Sequence, residues 1–381
     1  MKILFLDQSG KPGGAELCLI DIAKPYQNDC LVGLFADGSF KDLLAKNHIP
    51  VQVLTDKTIQ VKKESSFSQG LASITQLAPL IAKVVKIARN YDLIYANTQK
   101  ALVVGAIASF FSRRPLVFHL HDILSPEHFS KTNRNISVAL ANRASLVIVN
   151  SEASKKAFIE AGGKAELVEI VYNGFDPQKY INNETEIQQV RQKLELEDKF
   201  IVGHFSRLAP WKGQHILIEA LAKCPSEVTV ILVGDALFGE QDYVKQLHQQ
   251  IDQLKLQNRV KFLGFRNDIP LLMAACDLVA HTSTSPEPFG RVIVEAMLSG
   301  TPVVAAASGG AVELVEPGIN GFLATPGNPS ELTEIINTCI QDKQKTDAIA
   351  QEARNSASQR FHVANIDRQI AQLLEQLSVS S

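Results

Sequence analysis

The chain is poor in the features that mark several large protein classes. Its 381 residues include five cysteines, one tryptophan and three methionines. Cys18, Cys30, Cys224, Cys276 and Cys339 are odd in number and scattered, with no C-x-x-C pair. That excludes a disulfide framework and a cysteine-rich zinc site, and fits a reducing, cytoplasmic setting. No apolar run approaches the roughly 18 residues of a membrane span; the longest near-apolar stretch is Ala101 to Phe111. Ile3-Leu4-Phe5-Leu6 is broken at once by Asp7, so no secretory signal is expected. Neither charge dominates: 38 Lys+Arg face 40 Asp+Glu, a net of −2, which argues against a nucleic-acid partner. G-x-G-x-x-G and Gly-Lys-Ser/Thr are both missing, which disfavours a dinucleotide-dependent dehydrogenase and a P-loop enzyme.

What is present is the composition of a folded protein, 45% hydrophobic and 20% charged. Single cores stop growing at about 250–300 residues, so two domains are expected. Short apolar runs alternate with longer helical stretches. Lys2–Leu6, Cys30–Phe35, Val51–Leu54, Leu93–Ala96, Leu116–His119, Leu146–Asn150 and Val168–Val171 read as buried parallel strands. Helices fall between them, as at Gly14–Lys24, Leu77–Asn90 and Ser151–Ala161. The scheme restarts with Phe200–His204, Val228–Val233, Val260–Phe262, Leu278–Ala280, Pro302–Ala305 and Gly321–Leu323. Two such runs predict two doubly wound, Rossmann-like α/β domains. Turn signals at Asn173-Gly174-Phe175-Asp176-Pro177 set the boundary, giving residues 1–172 and 173–363. Residues 1–178 hold 20 basic and 16 acidic residues, a net of +4, so the second part is acidic.

Ligands of open α/β sheets sit beyond the carboxyl ends of the strands. Three candidate elements lie there. Gly13-Gly14-Ala15-Glu16 follows the first strand and reads as a tight turn or as a backbone cradle for phosphate at a helix start. Arg207 and Lys212 follow the first strand of the second run: two surface cations, or an anion site joining a guanidinium fork to a point charge. Ser285-Pro286-Glu287-Pro288-Phe289-Gly290-Arg291-Val292-Ile293-Val294-Glu295 is the strongest. A proline-fixed loop carries Glu287, and a helix starts near Gly290 with unpaired N–H groups at Gly290–Val292. Glu295 lies about 6–7 Å further along the axis. Two carboxylates so spaced suit two diols, a sugar and a ribose, better than one metal. Glu295 also reads as an ordinary helix glutamate.

The Glu287–Glu295 element resembles the signature of retaining glycosyltransferases of family 4, which have the GT-B fold of two domains facing across a cleft. Further segments are similar to that family: Ser206-Arg207-Leu208 with Lys212-Gly213, Leu232-Val233-Gly234, Val260–Gly264, Asp277, Ser299–Val304, Gly309-Gly310 with Glu313 and Gly318–Gly321, the hinge-like Asn173–Asp176, and Gly13–Glu16. The resemblance implies an N-terminal acceptor-binding domain completed by the C-terminal helix (residues 364–381) and a C-terminal donor-binding domain. Arg207 and Lys212 would bind the donor diphosphate, Glu287 and the Phe289–Val292 backbone the sugar and phosphates, and Glu295 the ribose. The Phe265-Arg266 loop would hold the base.

His119-Leu120-His121-Asp122 puts both histidines on one face of a strand end. This reads as strand-end hydrogen bonding, or as half a metal site whose other ligands are not evident. The family places a histidine near the sugar here, and His121 is the better match. No Asp-x-Asp occurs, and metal-using nucleotide-sugar enzymes usually carry one. The expectation is a metal-independent, cofactor-free hexosyltransferase. By family preference its donor is UDP-glucose and its acceptor a glycan or lipid-linked glycan of polysaccharide assembly. A nucleotide-sugar epimerase on the same fold and a non-catalytic nucleotide-sugar-binding subunit are the alternatives. The basic stretch Lys57, Lys62, Lys63, Phe67, Lys83, Lys86 and Arg89 reads either as an ordinary solvated face or as a contact with anionic lipid.

Overall fold

The structure, a computed structural model, describes residues 1–55, 67–126, 129–236 and 239–379. The chain divides into two units. The first comprises Met1–Gly174 with Val363–Ser381; the second is Phe175–His362.

The first unit carries β1 (Ile3–Asp7), β2 (Cys30–Leu34), β3 (Val51–Val53), β4 (Leu93–Ala96), β5 (Leu116–Leu120), β6 (Leu146–Val149) and β7 (Val168–Ile170). They form one parallel sheet in the order β3-β2-β1-β4-β5-β6-β7. Strand periodicity sorts the core. Leu4 and Leu6 point to the face that also buries Leu80, Val84 and Leu102. Ile3 and Phe5 point to the other, with Leu19, Tyr95 and Ile148. The C-terminal helix Val363–Val379 closes that second face through Ile366, Ile370 and Leu374.

The second unit repeats the plan with β8 (Phe200–Phe205), β9 (Val228–Val233), β10 (Val260–Gly264), β11 (Leu278–His281), β12 (Val303–Ala306) and β13 (Phe322–Ala324), ordered β10-β9-β8-β11-β12-β13. Every pairing is parallel. β9 is buried at all six residues, the continuous apolar run of a strand covered on both faces.

In each sheet the strand order reverses once, between β1 and β4 and between β8 and β11. Crevices at such switch points are where doubly wound folds hold ligands. One element departs from the sequence expectation. The helix read as Leu77–Asn90 spans Phe67–Ala88. Phe67, Leu71 and Ile74 keep the helical period there, but Ser68, Gly70, Ser73 and Thr75 are weak helix formers, so the first turns read as loop.

Candidate active site

The β8/β11 switch point of the second unit collects the strongest sequence candidates. β8 ends at Phe205, and the loop after it carries Arg207 before the tight turn Pro210–Lys212. Gly213 then starts the helix Gln214–Leu221 with φ +74°. A Cβ there would stand 1.9 Å from the Thr282 carbonyl oxygen, so only glycine lets this loop close on the one after β11. Thr282 binds it in place, donating to the carbonyls of Lys212 and Gly213 at 3.1 and 2.9 Å. His204, at the end of β8, donates from Nε2 to the same Lys212 carbonyl at 3.1 Å. Burial pushes His204 down to about 3, so the ring is a neutral strut.

Glu287 is the centre of this constellation. It is 7% exposed, and three donors converge on its Oε1: Lys212 Nζ at 2.6 Å, His281 Nε2 at 2.9 Å and Ser283 Oγ. Burial alone would raise the carboxyl. The Lys212 ammonium, with the hydrogen bonds from His281 and Lys212, outweighs it and holds Glu287 well below the usual carboxylate range. His281 Nδ1 accepts the Ala306 N–H at 3.4 Å, which directs its Nε2 proton to Glu287. The Glu287 backbone is fixed as well: Gly310 N donates to its carbonyl at 2.7 Å. Gly309, at φ +62°, lies so close that a Cβ would sit 2.3 Å from that oxygen.

Around this centre, Arg207 Nε pairs with Glu240 Oε2 at 3.1 Å, and Lys212 Nζ lies 4.1 Å from the Trp211 ring centroid. After Gly290, at φ +95°, the helix Arg291–Leu298 begins with N–H groups of Arg291 and Val292 at its open end. Arg291 Nε lies 3.7 Å from Glu295 Oε1, and the guanidinium stacks 4.5 Å from the Phe175 ring. The Phe289 ring is buried between Phe175 and Phe361. Exposed Phe265 follows β10, and Arg266 beside it is paired with Asp268 at 2.6 Å. Asp277 is a structural residue: its Oδ2 accepts from Ile201 N at 2.7 Å and from Arg191 at 3.2 Å.

The β1/β4 switch point of the first unit holds a different set. Gly13 precedes the helix that Gly14 opens, and its N–H donates to Glu16 Oε2 at 2.8 Å. Asp7, fully buried at the end of β1, accepts Ser9 N and Asn97 Nδ2, both at 2.7 Å. Asn97 Oδ1 in turn accepts His121 Nε2–H at 2.8 Å. Burial, then the charge of Glu16, pushes the Asp7 carboxyl up to about 7 against those hydrogen bonds. Glu16 is also raised, chiefly by burial. Glu16, Asn97 and His121 border a pocket of about 190 Å³ that also includes Gln8, Thr98, Gln99, His119 and Asp122. His119 is buried, with Nδ1 on the Tyr95 hydroxyl at 2.8 Å. The fold adds Cys18 to the two histidines, with ligand atoms within 4.8 Å of one another. The two rings lie side by side, with centroids 3.9 Å apart, and each already has a partner: the Tyr95 hydroxyl on His119 Nδ1 and the Asn97 amide oxygen on His121 Nε2.

Residues 12–179 match the family model "Glycosyltransferase Family 4", and residues 186–356 match "Glycosyl transferases group 1". The crystal structure of HepE from Anabaena in complex with UDP is 68% identical, with 99% of this chain and 100% of that one covered and a TM-score of 0.91. Its complex with UDP-glucose gives 68% identity and a TM-score of 0.92 over 99% and 100% of the two chains. The chain is a group 1 glycosyltransferase of the GT-B fold. Among curated relatives of this glycosyltransferase, spore coat protein SA of Bacillus subtilis is 33% identical over 205 residues, 50% of this chain and 54% of that protein. The D-inositol 3-phosphate glycosyltransferase of Mycobacterium marinum is 28% identical over 287 residues, 72% of this chain and 60% of that one. The chain therefore spans little more than half the length of either.

Sequence reasoning missed His281, Ser283, His204 and Glu240 in the second unit, and the Asp7–Asn97 link in the first. Each lies at a strand end or in the loop beyond it, as the chosen residues do. No local pattern separates a loop serine that reaches Glu287 from one that reaches water.

Proposed function

We propose that this glycosyltransferase moves glucose from UDP-glucose to a glycan or lipid-linked acceptor in polysaccharide assembly, with retention at the anomeric carbon and without a metal ion. The observation that carries the reading is the order of groups along the carboxyl edge of the second sheet. Phe265 and Arg266 follow β10, Arg207 and Lys212 follow β8, and Glu287 follows β11. Strands lie about 4.8 Å apart, so β10 and β11 are separated by roughly 14 Å, enough for base, diphosphate and sugar in sequence. The likeness to HepE, solved with UDP, with UDP-glucose and with UDP and glucose, supports this donor.

In this reading Phe265 and Arg266 hold the base and Glu295 the ribose. Arg207, Lys212 and the Gly290–Val292 backbone neutralise the charge that grows on the leaving diphosphate. Their cations stand where a metal would otherwise be needed. Lys212 has three donors, so it serves Glu287 and a phosphate together. Glu287, ionised and with Oε1 occupied, offers Oε2 to the sugar hydroxyls. The Gly13-Gly14 turn and the pocket with His121 in the first unit receive the acceptor sugar, and the departing phosphate takes the acceptor proton. No side chain is assigned as a covalent nucleophile.

A nucleotide-release assay over UDP-, GDP- and ADP-sugars tests the donor, since slow hydrolysis needs no known acceptor. UDP-glucose should be turned over fastest, and proton NMR of the released sugar should show the donor's α configuration first. Preference for a GDP- or ADP-sugar, a β product, or epimerised donor in the absence of acceptor would each sink the proposal.

A further inference from the structure

The longest apolar stretch of the sequence ends outside the core. The helix Gln99–Ser112 buries Ala101, Leu102, Val104, Gly105 and Ala108, yet its last turn holds Phe110 and Phe111 at 79% and 61% exposure. Apolar residues so exposed are ordinary when single; two adjacent aromatic rings are a patch. The rings pack edge to face at 5.3 Å, so they form one projecting unit. Arg113 follows in the left-handed conformation (φ 57°), ending the helix and leaving its own side chain exposed. Arg114 Nη2 donates to the Arg89 carbonyl at 3.0 Å, which ties this end to the end of the helix Phe67–Ala88. Arg89 and Lys86, three residues apart, are both exposed.

The charge on the two helices is of one sign. Neither helix contains an aspartate or a glutamate. The acid between them, Asp92, is engaged by the Lys2 N–H at 2.7 Å. Of the basic stretch singled out in the sequence, Lys57, Lys62 and Lys63 lie outside the described residues, whereas Lys86 and Arg89 belong to this surface.

We propose that Phe110 and Phe111, framed by Lys86, Arg89 and Arg113, form a docking surface for an anionic lipid bilayer. The rings enter the interface between headgroups and acyl chains, and the cations meet lipid phosphates at its surface. A second copy of the chain is the poorer occupant, because a symmetric contact through this patch would bring its arginines and lysines against their own kind. The donor assignment plays no part in this inference, and its test is separate from the donor assay.

The full chain is floated on sucrose gradients with vesicles of phosphatidylcholine alone or phosphatidylcholine mixed with phosphatidylglycerol. Wild type should float with the anionic vesicles and little with the neutral ones, and added salt should release it. Phe110→Ser/Phe111→Ser should cut the partition coefficient by about tenfold or more, from the burial worth of such a ring. Arg113→Glu should cut it by several-fold, from the attraction of one charge near the surface. Both variants should melt like wild type and hydrolyse donor at its rate, since neither position touches the donor or acceptor site. Failure of wild type to float, equal flotation with neutral vesicles, or undiminished flotation of the double variant would overturn the proposal. So would a dimer in sedimentation that the double variant abolishes, which would assign the patch to a second copy.

Discussion

The two switch points are the same place in the same fold, and their electrostatics are opposite. In the second unit a buried carboxylate, Glu287, is ringed by a lysine, a histidine and a serine and stays ionised. In the first, Asp7 and Glu16 are buried near one another with amide and backbone donors, and burial raises both. A carboxylate keeps its charge in a protein interior only if its partners replace what water supplied. The sheet topology therefore fixes where chemistry happens, while the residues after each strand decide which charge is welcome. One holds an ionised carboxylate beside a lysine; the other holds two carboxylates whose burial favours the protonated form.

Breaking the compensated site should give the largest effects. Lys212→Ala leaves Glu287 buried without its cation and would remove the phosphate contact proposed for it. We expect a stability loss of about 3 kcal/mol and UDP affinity lower by roughly ten- to hundred-fold, read by thermal melting and calorimetry. Normal UDP affinity in both Lys212→Ala and Arg207→Ala would mean that the diphosphate lies elsewhere. Glu287→Gln should lower transfer at least about tenfold, by analogy with losing one preorganised electrostatic group. Its UDP affinity should not fall, because Lys212 is released from its counter-charge. Wild-type turnover in this variant would discard the role given to Glu287.

Two smaller effects sharpen the contrast. The folded Asp7 carboxyl sits near 7 against an ordinary value of 3.8. The folded state thus holds a proton that the unfolded state releases, and the stability it contributes below pH 3.8 is lost as pH rises towards 7. Between pH 5 and 7 wild type should lose about 2 kcal/mol relative to Asp7→Asn. Matching slopes in the two proteins would contradict the assignment. Glu287, held low, has the opposite sign, and its contribution is lost only in acid well below pH 4.5. Asp7→Asn should also turn the Asn97 amide over, so that its NH2 faces His121 and moves the imidazole proton from Nε2 to Nδ1. Histidine nitrogen shifts in NMR report the tautomer directly. The smallest expected effect is none at all: EDTA should leave transfer unchanged, and abolition with rescue by Mg²⁺ or Mn²⁺ would show a metal requirement.

Most of the fold was legible because a strand covered on both faces must be apolar throughout. Leu93–Ala96 and Val228–Val233 were read to the residue on that rule alone. The helix from Phe67 was read short because Ser68, Gly70, Ser73 and Thr75 weaken helix propensity in its first turns, although Phe67, Leu71 and Ile74 keep the apolar period. Of the site, Glu287, Arg207 and Lys212 were legible as unusual residues at strand ends, and Gly213 and Gly309 mark close approaches of backbone. Their pairing was not. That Lys212 would spend one donor on Glu287, and that Arg207 would meet Glu240, depends on loops of different strands brought side by side. The exposure of Phe110 was hidden too, because an apolar run does not record where its helix leaves the core.

The contact between Gly310 and Glu287 makes the proposed donor site measurable without any ligand. The Gly310 amide has its proton on the Glu287 carbonyl, 2.7 Å away. That amide exchanges with solvent only when the loop after β12 parts from the loop after β11, and that parting also displaces Glu287. Its hydrogen–deuterium exchange rate is therefore a gauge of how often the Glu287 carboxylate is out of place, and it can be read in a resting protein, one peptide at a time.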